Sequence, residues 1–152
     1  MLIFTSGNIF EAQADAYINP VNCMGVMGKG LALEFKERFP QNYTAYKFDC
    51  QRKNVRVGEM HVCFLHEHGY PKYIINFPTK IHWKDRSQLS YIHAGLHALL
   101  RCIEELKLSS VALPRIGCGL GGLDWVFVKK EIQKILGNVP NVNIFVYEDV
   151  SK

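Results

Sequence analysis

Short apolar runs alternate with amphipathic stretches along this chain. Leu2 to Thr5 predicts a first strand with Ser6-Gly7-Asn8 as its turn, and Ala16-Tyr17-Ile18 a second, halted by Asn19-Pro20. Leu31, Phe35 and Phe39 share one face of a helix over Lys29 to Phe39, with Glu34, Lys36 and Arg38 elsewhere. Pro40 ends it, and a second short helix follows from about Gln41 to Gln51. Met60 to Leu65 and Tyr73 to Phe77 predict strands on either side of the turn-like His68-Gly69-Tyr70-Pro71. Leu89, Ile92, Leu96, Leu99, Ile103 and Leu106 recur at three- and four-residue intervals and predict a long helix over Ser87 to Lys107. Ser110 to Pro114 reads as a buried strand. Asp124 reads as the N-cap of a helix carrying Trp125, Val128, Ile132 and Ile135, which Gly137-Asn138 closes before a last strand over Val142 to Tyr147. This alternation argues an α/β sandwich with a largely parallel or mixed sheet. Ligands bind such sheets at the carboxyl ends of the strands.

Two glycine-rich segments follow predicted strands and precede predicted helices. They are Asn19-Pro-Val-Asn-Cys-Met-Gly-Val-Met-Gly-Lys-Gly30 and Pro114-Arg-Ile-Gly-Cys-Gly-Leu-Gly-Gly-Leu-Asp124. Without a Cβ, backbone N–H groups approach a ligand closely, and a following helix turns its positive end the same way. Two such loops suggest a clamp for a ligand with more than one phosphate. Gly117-x-Gly119-x-x-Gly122 formally matches a dinucleotide fingerprint, but that fingerprint opens a fold and has an acidic residue about twenty positions later. Here the chain is nearly over, and that region holds Asn141 and Asn143. A tight, closely packed turn explains the same glycines. Gly25 to Gly30 fails as a P-loop, because Gly30 stands where a Ser or Thr would hold magnesium. Asn19 and Asn22 offer paired donors and acceptors beside that loop, or simply cap a turn.

Composition narrows the picture modestly. The 152 residues are 48% hydrophobic and 21% charged, ample for one core, and the net charge of +4 permits a nucleic-acid partner without requiring one. Cys23, Cys50, Cys63, Cys102 and Cys118 show no metal-ligand spacing and read as small buried residues in a reducing cytoplasm. Met1 leads directly into an apolar strand with no signal-peptide pattern, and no apolar run is long enough for a membrane span. The six histidines form no metal set.

Lys80 ends the run Tyr73-Ile-Ile-Asn-Phe-Pro-Thr79. Alone it would be a surface charge. Burial and neighbouring cations favour a neutral, nucleophilic amine, and Lys84 and Arg86 follow closely. His82, Trp83, Lys84 and Arg86 suit a nucleic-acid strand, tracking a phosphate and stacking a base, and equally suit a solvated loop with one packed tryptophan. No HExxH, GxSxG or paired catalytic carboxylates stand out.

Asn19-x-x-Asn22, Gly25-Val-Met-Gly-Lys-Gly30 and Pro114-Arg-Ile-Gly-Cys-Gly-Leu-Gly-Gly122 together resemble the macrodomain family, which binds ADP-ribose. With Asn76-Phe-Pro-Thr-Lys80-x-His-Trp83 and Gly-Cys-Gly-Leu-Gly-Gly-Leu-Asp-Trp125, the chain is similar to the DarG group over nearly its whole length. Those are antitoxin macrodomains that remove ADP-ribose from thymidine bases in DNA, reversing the DarT toxin. The resemblance implies a three-layer α/β/α sandwich with a mixed, largely parallel central sheet, residues 1–152 forming a single macrodomain. It implies a monomeric cytoplasmic hydrolase of N-glycosidic ADP-ribose linkages with no membrane association. Its substrate would be ADP-ribosylated single-stranded DNA, its product ADP-ribose, and a DarT-type toxin its partner.

The implied roles follow residue by residue. Lys80 matches the catalytic lysine. Asn8 stands where many macrodomains carry an Asp that accepts from the adenine amino group, and Tyr147 is a wall for the adenine. Asn22 would hold the distal ribose, and Gly28, Lys29, Gly30 and Leu31 would line that ribose and a phosphate. Ile116, Gly117, Cys118, Gly119, Leu120, Gly121 and Gly122 would wrap the pyrophosphate. Ile9, Asn19, Met27, Thr79 and Pro114 complete the implied ADP-ribose-binding set. One departure bears on the substrate. Related terminal protein ADP-ribose glycohydrolases carry an Asp in the second loop, in a Gly-Cys-Gly-Leu-Asp pattern, where this chain has Gly121. That favours the DNA-type site over a protein-glutamate substrate. A non-catalytic ADP-ribose reader, a hydrolase of protein-linked ADP-ribose and an unrelated nucleotide-binding domain are the alternatives. DarG proteins usually carry a second, toxin-binding domain, for which this chain leaves no room, so the resemblance implies either a stand-alone macrodomain or a part cut from a longer protein.

Overall fold

The computed structural model describes residues 1–150. Among these residues β1 (Leu2–Gly7), β2 (Ala16–Val21), β3 (His61–Phe64), β4 (Tyr73–Pro78), β5 (Ser110–Leu113) and β6 (Asn143–Val150) form one sheet in the order β1-β6-β5-β2-β4-β3. Every neighbouring pair is parallel except β3 and β4. Helices α1 (Gly30–Arg38) and α2 (Pro40–Gln51) cover one face, α3 (Leu89–Glu105) and α4 (Trp125–Leu136) the other.

Strand alternation explains the layering. Ala16 and Ile18 of β2 join Ile75 and Phe77 of β4 beneath α3 and α4, around Ile92, Leu96, Leu99, Val128 and Ile132. Tyr17 and Ile74 point the opposite way and meet Phe35 of α1. Both faces are covered, so β2 and β4 read as nearly continuous apolar runs. The long periodic helix is therefore real, though it begins at Leu89 rather than Ser87. Asp124 caps α4 as expected, its side chain accepting from Val126 N–H at 2.9 Å.

One boundary differs in a way that matters. The second strand does not stop at Asn19-Pro20 but runs through both to Val21. Proline lacks an N–H and is tolerated only where no ladder partner needs one. Thr79 N–H donates to the Val21 carbonyl at 2.9 Å, so Val21 faces β4. Pro20, one residue earlier, therefore faces the β5 side. There the ladder has already ended, because β5 pairs only with Ala16 and Tyr17. The carboxyl ends of β2 and β5 thus part company. The chain also changes direction here, since α3 carries it from β4 across β2 to β5. A parting of strands at a topological switch point is where open α/β sheets place ligands.

Gly95 lets α3 sit close on the sheet. A Cβ there would lie 2.3 Å from the ring of the fully buried Phe77. Helix propensity alone would make Gly95→Ala stabilising by about 1 kcal/mol. The clash should reverse the sign, with a net loss of about 1–3 kcal/mol from overpacking. Urea denaturation of the two proteins checks this, and a stabilised variant would refute it.

Candidate active site

The first glycine loop leaves β2 and ends on α1. Its shape is held from inside by Asn22. The Asn22 side-chain oxygen accepts from Met24 N–H at 2.9 Å, its amide donates to the Val26 carbonyl at 2.8 Å, and the Tyr46 hydroxyl donates to its backbone carbonyl at 2.8 Å. Lys29 caps α1 through its backbone alone, without a side-chain hydrogen bond, so the first-turn N–H groups stay available. Phe10, Phe35 and Phe39 pack together and pin α1 to the sheet, with the Phe10 and Phe35 rings 4.8 Å apart. Those N–H groups therefore open at the carboxyl edge of β2.

The second loop folds on itself after β5. Cys118 N–H donates to Arg115, Gly122 N–H to Gly119, and Leu123 N–H to Gly117. The N–H groups of Gly119, Leu120 and Gly121 have no backbone partner among the described residues. Gly121 is required by close approach. A Cβ on it would lie 2.6 Å from the Gly117 carbonyl oxygen and 2.9 Å from the carbonyl carbon.

Between these loops runs the segment after β4. Thr79 N–H is anchored on Val21, and Cys23 N–H donates to the Ile81 carbonyl at 2.8 Å, so Lys80 is clamped from both sides. The three segments enclose a cleft of about 960 Å³, within the range that holds a nucleotide-sized ligand. Lys80 lines it with Asn22, Gly28, Lys29, Gly30 and Leu31 on one side and Pro114, Gly117, Gly119, Leu120 and Gly121 on the other. Thr79, Trp83, Lys84 and Arg86 also line it. Its charged lining is Lys29, Lys80, Lys84, Arg86 and Arg115 against the single Asp85, a cationic surface suited to an anion.

Cysteine chemistry has no place here. Burial pushes the Cys118 and Cys23 thiols up to about 11, so neither is a thiolate at neutral pH.

Several expected ligand contacts fall outside the cleft. Asn19 is wholly buried, and its amide donates to Asn76 Oδ1 at 3.0 Å within a chain that continues through Asn42, His61 and Asp49. It stands on the α2 side of β2, so a ligand role gives way to a core one. Met27 is also buried, packed with Val21 and Tyr46. Asn22 spends its carbonyl oxygen and one amide hydrogen on the loop, leaving one amide hydrogen for a ligand. Ile116 is fully buried, and the N–H groups of Ile116, Cys118 and Gly122 are consumed within the loop, so the clamp is narrower than the whole segment. Asn8 caps the short turn Ile9–Glu11, accepting from Phe10 N–H at 3.0 Å, and Ile9 is buried beneath it. Ile9, Leu31 and Tyr147 belong to one apolar cluster, and of Asn8, Ile9, Leu31 and Tyr147 it is Leu31 that lines the cleft. His82 instead shapes its own turn, its ring accepting from Lys84 N–H at 3.1 Å.

Ser87 is the residue that sequence reasoning misread. Taken as a helix start, it is buried and joins the two functional loops. Its hydroxyl donates to the Thr79 carbonyl, and its N–H donates to the Gly121 carbonyl at 2.9 Å. A serine ahead of a helix carries no local signal of such a bridge. Removing the hydroxyl should cost about 1 kcal/mol of stability and leave Lys80 less well held. Ser87→Ala is accordingly expected to lower turnover more than ADP-ribose affinity, measured by single-turnover kinetics beside calorimetry. An equal loss of both would assign Ser87 to the fold alone.

A switch-point cleft bounded by two loops with free N–H groups, a helix N-terminus and five cations makes this an α/β domain whose site suits an anion such as a diphosphate. The chain belongs to the Macro domain family, whose model matches residues 18–132. A curated relative from Thermus aquaticus, named DNA ADP-ribosyl glycohydrolase, is 47% identical over 99% of this chain and 42% of its own length. The structure of the macrodomain of Mycobacterium tuberculosis DarG matches at 46% identity and a TM-score of 0.95, covering 97% of each chain. Thermosipho africanus DarTG in complex with ADP-ribose matches at 30% identity and a TM-score of 0.88, over 99% of this chain and 41% of that one. The chain thus spans about two fifths of the length of these curated glycohydrolases.

Proposed function

We propose that this domain hydrolyses the N-glycosidic bond joining ADP-ribose to thymine in single-stranded DNA, reversing a DarT-type toxin. Residues 1–152 act as a single macrodomain, monomeric and cytoplasmic, and ADP-ribose is the product. The observation that carries the reading is Lys80, held on the wall of a cleft whose two flanking loops offer unpaired N–H groups. The names of the relatives support the substrate.

The second loop and the α1 N-terminus bind the diphosphate, each N–H aligned before the reaction begins. Asn22 and the Gly28-to-Leu31 turn hold the distal ribose, and Asn8 and Tyr147 border the adenine. The anomeric carbon then lies beside Lys80, and positioning supplies much of the rate. As the carbon–nitrogen bond breaks, its electron pair leaves with the base. The Lys80 amine either takes the carbon or, as the ammonium, stabilises the departing base. Water supplies the oxygen that ADP-ribose keeps and the proton that thymine keeps. Reductive trapping separates the two roles, because only attack leaves an adduct on Lys80.

Side-by-side turnover of an ADP-ribosylated oligonucleotide and an ADP-ribosylated protein tests the proposal. Release from DNA alone is expected. Release from protein alone would overturn the substrate, and saturable ADP-ribose binding with no release from either would leave a reader.

A further inference from the structure

Large apolar side chains are exposed at the mouth of the cleft. Leu120 is 67% exposed, Met24 51%, Trp83 48% and Ile81 47%. They come from all three loops that bound the cleft. The Cys23-to-Ile81 backbone bond sets Met24 beside Ile81, and the Ser87-to-Gly121 bond brings the Trp83 loop to Leu120. Exposed apolar side chains collected at one site mark an interaction surface.

We propose that this lip is a track for the single-stranded DNA on either side of the modified nucleotide. The inference rests on the DNA reading above. Charge selects the occupant. Lys84 and Arg86 stand on the same lip, and the Lys84 ammonium lies 5.1 Å from the centre of the Trp83 ring. The acid of that loop, Asp85, is turned back on it, accepting from His82 N–H at 3.2 Å. Apolar faces interleaved with cations suit stacked bases joined by phosphates, and every base offers such a face, so the track is sequence-tolerant. Met24 and Ile81 lie outside the cleft lining and so serve the flanking strand rather than the ADP-ribose.

Two measurements decide it. The first is anisotropy of a fluorescein-labelled oligothymidylate with the protein saturated in ADP-ribose. Trp83→Ala is expected to weaken binding by about 5-fold or more, the loss of one stacked base, and Lys84→Gln to reduce the salt slope by about 0.7, the share of one phosphate contact on a single strand. The second compares kcat/KM for a modified oligonucleotide and for modified thymidine mononucleotide in Met24→Ala. The oligonucleotide value should fall several-fold and the mononucleotide value hold. Oligothymidylate binding equal in wild type and all variants would overturn the track, as would equal kcat/KM for both substrates in the wild type. Failure of the wild type to release ADP-ribose from any modified DNA would instead overturn the proposed function, while the anisotropy still judges the lip. Saturable capture of a modified protein, with none of the oligonucleotide, would assign the lip to a protein partner.

Discussion

Lys80→Ala is expected to abolish release of ADP-ribose from modified DNA, by about 100- to 10,000-fold in kcat or more, with the affinity for free ADP-ribose changed little. The split follows from the geometry. In the proposed reading the diphosphate meets backbone N–H groups of the two loops and the ribose meets Asn22, none of which the Lys80 side chain holds, since the Lys80 segment is fixed through the backbone of its neighbours Thr79 and Ile81. Single-turnover kinetics on a modified oligonucleotide and calorimetry with ADP-ribose measure the two quantities. Lys80→Arg adds resolution, because a guanidinium keeps the charge yet stays protonated and cannot attack. Partial rescue by Arg would favour a stabilising role, and its absence would favour attack. Full activity in Lys80→Ala would sink both.

Gly121→Asp is expected to cost ADP-ribose affinity by at least about 10-fold and to lower thermal stability. The Cβ alone would meet the Gly117 carbonyl oxygen at 2.6 Å and its α-carbon at 3.1 Å. These are backbone atoms of the same loop, so relief requires opening the loop, at about 1–3 kcal/mol for such overpacking. The carboxylate then adds repulsion against a diphosphate. Gly121→Ala isolates the steric part and should lose stability too. Gly119→Ala is the matched control, since a Cβ there meets nothing within 4 Å, and its melting temperature should hold. The Gly-Cys-Gly-Leu-Asp pattern therefore does not fit this loop as folded, which gives the glycine a structural reason beyond a missing acid. A Gly121→Asp protein with unchanged melting and binding would remove that reason.

Much of the site was legible because its signals are local. Glycine runs after apolar strands announce backbone loops, and the spacing of Leu89 to Leu106 announces α3, so both loops and Lys80 fall where the sequence places them. Asp124 as a cap was legible for the same reason. The side chains of Asn19 and Asn22 were not. Two asparagines three residues apart look alike in sequence, yet strand alternation turns Asn19 into the core beneath α2, and the loop leaves Asn22 at the cleft.

The sequence by itself determined the element order, the two glycine loops and the lysine between them, since periodicity and the missing Cβ act over a few residues. The tertiary structure alone decided which groups meet. Pro20 continues a strand because β5 has already turned away on its open side. Ser87 bridges Thr79 and Gly121, forty-two positions apart. Gly121 is fixed by the oxygen of Gly117. Each depends on hydrogen bonds or contacts closed by the folded sheet, and no local pattern encodes the partner at the other end.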